Sequence, residues 1–202
     1  MIVIGLTGSI GMGKTETARS LAAFDIPVFD SDAAVHDIYR CDTSVIASVG
    51  RLVPSAVEGQ AINRTILSEV IAKTPGLLTD LERIVHPAVR RRRDTFLAGC
   101  RARGDKIAVL DIPLLFETGQ DSQVDVKLVV SAPPDVQRRR VLARPGMTEE
   151  KLNVILAKQL PDAEKRKRAD YVIDTSRSLE DARHQLQAIL DDIRRKQSDR
   201  DA

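Results

Sequence analysis

The chain predicts an α/β fold, a five-stranded parallel sheet flanked by helices on both faces, and three observations carry that prediction. A compact apolar run over residues 1–6 breaks into a glycine-rich loop and then a helix. Further apolar, β-branched runs at 26–30, 107–111, 124–130 and 171–174 alternate with helical stretches, the pattern of a sheet buried on both faces. About seventy-five residues separate the second run from the third. That is far more than a strand–helix–strand crossover needs.

The first run leads into Gly8, Ser9, Ile10, Gly11, Met12, Gly13, Lys14 and Thr15. Gly8, Gly13, Lys14 and Thr15 meet the spacing G-x-x-x-x-G-K-[ST] between a strand and a helix, the context that a phosphate-binding loop requires. Glycines let backbone N–H groups converge on phosphate oxygens, and the helix adds its positive end. Lys14 is suited to the β- and γ-phosphates and the Thr15 hydroxyl to Mg²⁺. The second strand ends in Asp30-Ser31-Asp32 and is followed by a helical stretch from Ala33. In the long gap, Leu77, Leu81, Ile84, Val85 and Val89 recur at three- and four-residue steps, so 35–103 reads as an inserted helical domain. The core is expected at 1–34 and 104–202.

The third strand ends in Asp111, and Pro113 closes it. After the fourth strand comes a basic helix to Arg144, a Pro145-Gly146 break, and a helix for which Thr148 is the expected N-cap. The segment 136–160 reads as a lid. An amphipathic helix from Leu179 closes the chain, and the polar end 194–202 is expected to fray.

Composition narrows the classes. A net charge of +2 supplies no global field for nucleic acid or membrane, and aromatic residues at 3% leave few stacking platforms for bases. No apolar run approaches a membrane span. Cys41 and Cys100 have no ligand spacing and read as reduced thiols. The expected setting is cytoplasmic, and the expected state a monomer or weak homo-oligomer.

In a parallel sheet, ligands gather at the carboxyl ends of the strands. That rim would hold the loop 8–15, Asp30 and Asp32, and the segment 111–117. Asp111 ends its strand where a Mg²⁺-holding carboxylate is found in phosphate-loop enzymes. An extended chain would turn Asp30 and Asp32 to one side. Asp32 is assigned as the base for an acceptor hydroxyl, and Asp30 as support or as the cap of the next helix. Arg140 and Arg144 lie one helical turn apart and can serve a transferring phosphoryl group. The run Lys165 to Arg168 reads as a solvated face or a nucleotide contact. Glu82 and His86 share a helix face with no third metal ligand.

These features together resemble the dephospho-coenzyme A kinase family. The phosphate loop, Asp30-Ser31-Asp32, Leu81-Glu82-Arg83-Ile84-Val85-His86-Pro87, Asp111-Ile112-Pro113-Leu114-Leu115-Phe116-Glu117, the pair Arg140 and Arg144, Gln159, and Lys165-Arg166 with Ala169-Asp170 follow the family's order over about residues 2–178. The resemblance implies a P-loop kinase fold with an inserted helical substrate domain and a helical lid. It implies ATP and Mg²⁺ as cofactors and phosphorylation of the ribose 3′-hydroxyl of dephospho-coenzyme A, the last step of coenzyme A synthesis. It further implies Asp32 as base, Arg140 and Arg144 as lid arginines, and Arg64, His86, Pro113, Leu114 and Leu115 as substrate-binding residues. Three positions depart from the family's pattern. Ser9 replaces a frequent second glycine, Glu16 stands where a hydroxyl residue is common, and Thr175 lies where Asp-Asn-x-Gly is usual. The competing readings are a kinase with another acceptor and a nucleotide-dependent switch; no guanine-type N-K-x-D motif is present.

Overall fold

The computed structural model describes residues 1–201, with side chains through residue 199. In chain order the elements are β1 (Ile2–Thr7), α1 (Lys14–Ala23), β2 (Val28–Asp30), α2 (Ser31–Cys41), α3 (Thr43–Leu52), β3 (Val57–Glu58), β4 (Ala61–Ile62), α4 (Arg64–Lys73), α5 (Leu77–Arg103), β5 (Ile107–Asp111), β6 (Val126–Ser131), α6 (Pro134–Leu142), α7 (Glu149–Leu156), α8 (Asp162–Arg168), β7 (Tyr171–Asp174) and α9 (Leu179–Asp201). The chain divides into two compact units, one made of Met1–Val28 with the chain from Asp105 onward, the other of Phe29–Gly104. The sequence boundaries of 35 and 103 fall a few residues inside the second.

Among the described residues the main sheet has five strands in the order β2-β5-β1-β6-β7. β1 pairs in parallel with β5 on one side, Ile4 opposite Val109, and with β6 on the other, Leu6 opposite Leu128. The chain therefore leaves β1 at a point where the strand order turns both ways, which opens a crevice at the strand ends. Every residue of β5 is buried, as a strand covered on both faces must be. Ile4, Leu6, Val109, Leu128, Val130 and Ile173 pack with Leu21 of α1 and Leu186 and Leu190 of α9. Each such buried side chain is worth about 1.5–3 kcal/mol over its exposed state.

The second unit has its own core of Ile38, Tyr39, Val45, Val49, Leu67, Leu81, Val85 and Ala88. Asp42 caps α3 by accepting from the Ser44 and Val45 N–H groups, and Asn63 caps α4 through Thr65 and Ile66. The unit also carries a small antiparallel hairpin, β3 with β4, too short to read as strands in the sequence. Thr148 caps α7 as expected, though that helix ends at Leu156. The polar end is helical where it is described, α9 running to Asp201, and Ala202 lies outside the described residues.

Candidate active site

The loop between β1 and α1 is shaped by its glycines. A Cβ on Gly8 would stand 2.4 Å from Val130 Cγ2 and 2.8 Å from the Val130 carbonyl oxygen; one on Gly11 would stand 2.6 Å from Val141 Cγ2. Gly11 and Gly13 also hold φ of +79° and +91°, where an L side chain is strained. Gly13 is the N-cap of α1 and supplies no side-chain hydrogen bond to it. The first N–H groups of α1 thus keep their capacity for an anion at the helix's positive end. Ser9, the departure from a second glycine, is buried. Glu16 is accounted for as well: its exposed carboxylate pairs with Arg19 on the same helix.

Lys14 Nζ lies 2.6 Å from Asp111 Oδ1, joining the end of the loop to the end of β5. Asp111 is only 6% exposed at its side chain. Thr15 is exposed beside Lys14. Among the described residues no group of three or more His, Cys, Asp or Glu is placed to hold a metal. The oxygen donors at this end of β5 and α1 are the exposed Thr15 hydroxyl and the Asp111 carboxylate that Lys14 engages.

Past β5, Thr7 Oγ1 donates to the Pro113 carbonyl at 3.0 Å. Leu114 is exposed, whereas Leu115 is fully buried and packs over Gly5. The Leu115 carbonyl accepts the Gln120 N–H at 3.0 Å. Glu117 Oε1 accepts the Leu160 N–H at 2.8 Å and lies 2.8 Å from Lys165 Nζ. Burial pushes the Glu117 carboxyl upward, but Lys165 and the Leu160 N–H outweigh it and hold the group below its ordinary 4.5.

The segment 136–160 is tied to the loop through one residue, Ile10. Gln159 Oε1 accepts the Ile10 N–H at 3.1 Å, and Gln137 Nε2 donates to the Ile10 carbonyl at 2.7 Å. Ser9, Met12, Gln137, Gln159 and Leu160 line a cavity of about 630 Å³ with the ends of β6 and β7 and with α8. On α6, Arg140 reaches inward: Nη1 donates to Thr175 Oγ1 at 3.0 Å and Nη2 to the Thr175 carbonyl at 2.6 Å. Arg144 falls beyond the end of α6 at Leu142 and is exposed. The two arginines therefore do not share one helical face.

In the helical unit, Asp30 Oδ1 accepts the Ala33 N–H at 2.9 Å and is the N-cap of α2. Because the helix begins at Ser31, the extended geometry assumed for Asp30 and Asp32 does not exist. Asp32 is exposed in the first turn of α2. Arg64 begins α4, and its charge opposes the upward shift that burial gives the Tyr39 hydroxyl. His86 is exposed on α5, one residue before the internal Pro87.

Comparison with known proteins decides the family. The CoaE dephospho-CoA kinase family model matches residues 2–181. The chain belongs to the dephospho-CoA kinase family. A dephospho-CoA kinase of Agrobacterium fabrum is 51% identical over 190 residues, covering 94% of this chain and 97% of that protein. Another, of Mesorhizobium japonicum, is 52% identical over 194 residues, covering 96% and 98%. The crystal structure of TT1252 from Thermus thermophilus superposes with a TM-score of 0.82 at 38% identity, covering 95% of this chain and 97% of that one. A dephospho-CoA kinase from Campylobacter jejuni, 20% identical with a TM-score of 0.65 over 95% and 96% of the two chains, shares the fold. The reaction is the family's: ATP phosphorylates dephospho-CoA to give CoA. Among the described residues no helix is long and apolar enough to cross a membrane.

For a dephospho-CoA kinase built this way, several supporting residues lie outside the sequence assignments. Gln137 sits inside a basic helix and carried no signal. Gln159 was part of the family pattern without a role. Lys165 is fully buried, not solvated as its basic run implied, while Lys167 and Arg168 of the same run are exposed and paired with Glu164 and Asp121.

Proposed function

We propose that this dephospho-CoA kinase transfers the γ-phosphoryl group of ATP to the ribose 3′-hydroxyl of dephospho-CoA through the residues of the loop, the β5 end, the lid and the first turn of α2. The observation that carries the reading is the Lys14–Asp111 pair at 2.6 Å beside a glycine loop whose following helix has an uncapped N-terminus. The backbone N–H groups of 8–15 hold the phosphates, and Lys14 moves its charge onto the β- and γ-phosphates. Thr15 and Asp111 would hold Mg²⁺, which supplies charge neutralisation on the transferring group.

Asp32 takes the proton of the acceptor hydroxyl as its oxygen bonds to the γ-phosphorus and the bond to the ADP oxygen breaks. Arg140 and Arg144 stabilise the charge on the moving group. Arg140 spends two of its five N–H donors on Thr175, leaving the rest for this task. Arg64, His86, Pro113, Leu114 and Leu115 are assigned to the acceptor, and the helical insert 35–103 to its binding. The lid over 136–160 excludes water and so favours transfer over hydrolysis. The chain works in the cytoplasm as a monomer or weak homo-oligomer.

The test is regiochemical. Purified protein with ATP, Mg²⁺ and dephospho-CoA should give a product whose new phosphate is on the ribose 3′ position by ³¹P NMR, with ADP formed only when the acceptor is present. Phosphate on another hydroxyl, or ADP release that ignores the acceptor, overturns the reading.

A further inference from the structure

We infer that Thr175 is a positioning residue for phosphoryl transfer, its buried hydroxyl locking the phosphate loop and Arg140 into one register. The residue follows β7 directly and is buried. Its hydroxyl donates to the Met12 carbonyl in the loop at 2.9 Å, with the Ser131 carbonyl at the end of β6 a longer second acceptor at 3.3 Å. The same oxygen accepts from Arg140 Nη1 at 3.0 Å, and the Thr175 carbonyl accepts from Arg140 Nη2 at 2.6 Å. Its methyl side closes on the last glycine of the loop: a Cβ at Gly13 would stand 3.2 Å from Thr175 Cγ2.

A hydroxyl carries one hydrogen and two lone pairs. Here the hydrogen serves the loop and a lone pair serves the arginine. Removing the oxygen leaves the buried Met12 carbonyl and one guanidinium N–H to find other partners, while the Nη2 bond to the Thr175 carbonyl stays. Valine has the shape of threonine and neither function, while serine keeps both functions and loses only the methyl. Thr175 does not touch the reacting atoms in this scheme; it acts through Arg140 and the loop. The inference rests on the reading in which Arg140 stabilises the transferring group.

The experiment is a double-mutant cycle on the full-length enzyme, measuring kcat, the KM for ATP and for dephospho-CoA, and the melting temperature of each variant. Thr175→Val should lower kcat about ten-fold or more while the KM for ATP stays within about three-fold. Thr175→Ser should stay within about two-fold of the parent on both. In an Arg140→Ala background, Thr175→Val should lower kcat by a factor at least about three-fold smaller than in the parent, because only the loop contact is left to lose. An unchanged kcat in Thr175→Val, a failure of serine to preserve it, or full additivity in the cycle overturns the inference. A parental kcat in Arg140→Ala instead removes the catalytic reading of Arg140, whatever Thr175→Val does. Should Thr175→Val not fold, Thr175→Cys, close in shape with a weaker donor and acceptor, takes its place in the cycle.

Discussion

Replacing Lys165 with methionine should destabilise the protein strongly, and neutralising Glu117 in the same chain should restore most of the loss. Lys165 has no solvent exposure and Glu117 is 14% exposed at its side chain, with 2.8 Å between ammonium and carboxylate. Methionine fills a similar volume but leaves the carboxylate with the Leu160 N–H and no cation. Breaking a buried pair from one side costs about 3–5 kcal/mol. The remaining N–H and the slight exposure of Glu117 place this case at the lower end, about 3 kcal/mol. Unfolding entropy near 2.1 cal/mol/K per residue makes that a fall of about 7 °C in Tm for a chain this long. With Glu117→Gln added, no charge is left buried and the glutamine oxygen still accepts from Leu160; the deficit should shrink to about 1 kcal/mol. Calorimetric melting of parent, single and double variants at neutral pH is the assay. A loss below about 1 kcal/mol in Lys165→Met, or a double variant no more stable than it, refutes the argument that the pair is a coupled buried charge.

Further outcomes are expected from the same geometry. Because the folded Glu117 titrates below its ordinary 4.5, its contribution is complete above that value and is lost as pH falls through the depressed one; Glu117→Gln should flatten the acid limb of a stability–pH curve, and an unaltered limb contradicts this. Gly8→Ala puts a Cβ 2.4 Å from Val130 Cγ2 and 2.8 Å from a backbone oxygen, so the loop must shift, and ATP affinity by calorimetry should drop about ten-fold or more. Lys14→Ala should lower kcat by about three orders of magnitude with circular dichroism unchanged; near-normal turnover sinks the role. Asp32→Asn keeps size and removes charge, so it should cut kcat and leave the KM for ATP; an unchanged kcat moves the base elsewhere.

The phosphate loop was legible because its pattern is contiguous: glycines at positive φ at 11 and 13, then Lys14 and Thr15 on the first turn of α1. The sheet was legible because β1, β5 and β6 are short apolar runs with few other ways to be buried. Residues whose role depends on a distant partner were not. Nothing near Lys165 in the chain announces Glu117, 48 positions away, and a run of four basic residues looks the same whether one of them is buried or none. Thr175 likewise takes its meaning from Met12 and Arg140. The cap foreseen for Asp30 is present, but the extended geometry assumed for the acidic pair failed for a local reason: the helix starts one residue after the strand ends, and alternation applies only to extended chain.

The placement of β1 in the middle of the sheet has a consequence for synthesis on the ribosome. Ile2 pairs with Ile107, so the first strand to emerge meets its neighbour only after about a hundred further residues. At about 5–20 residues per second that is a wait of roughly 5–20 s, during which the apolar run 2–7 has no sheet to join. The stretch 29–104, by contrast, is contiguous and mostly helical, rich in the local contacts that form fast. The middle of the chain is thus able to fold while the other unit is still incomplete, and the phosphate loop finds its packing partners only once Val130, Val141 and Thr175 have been made.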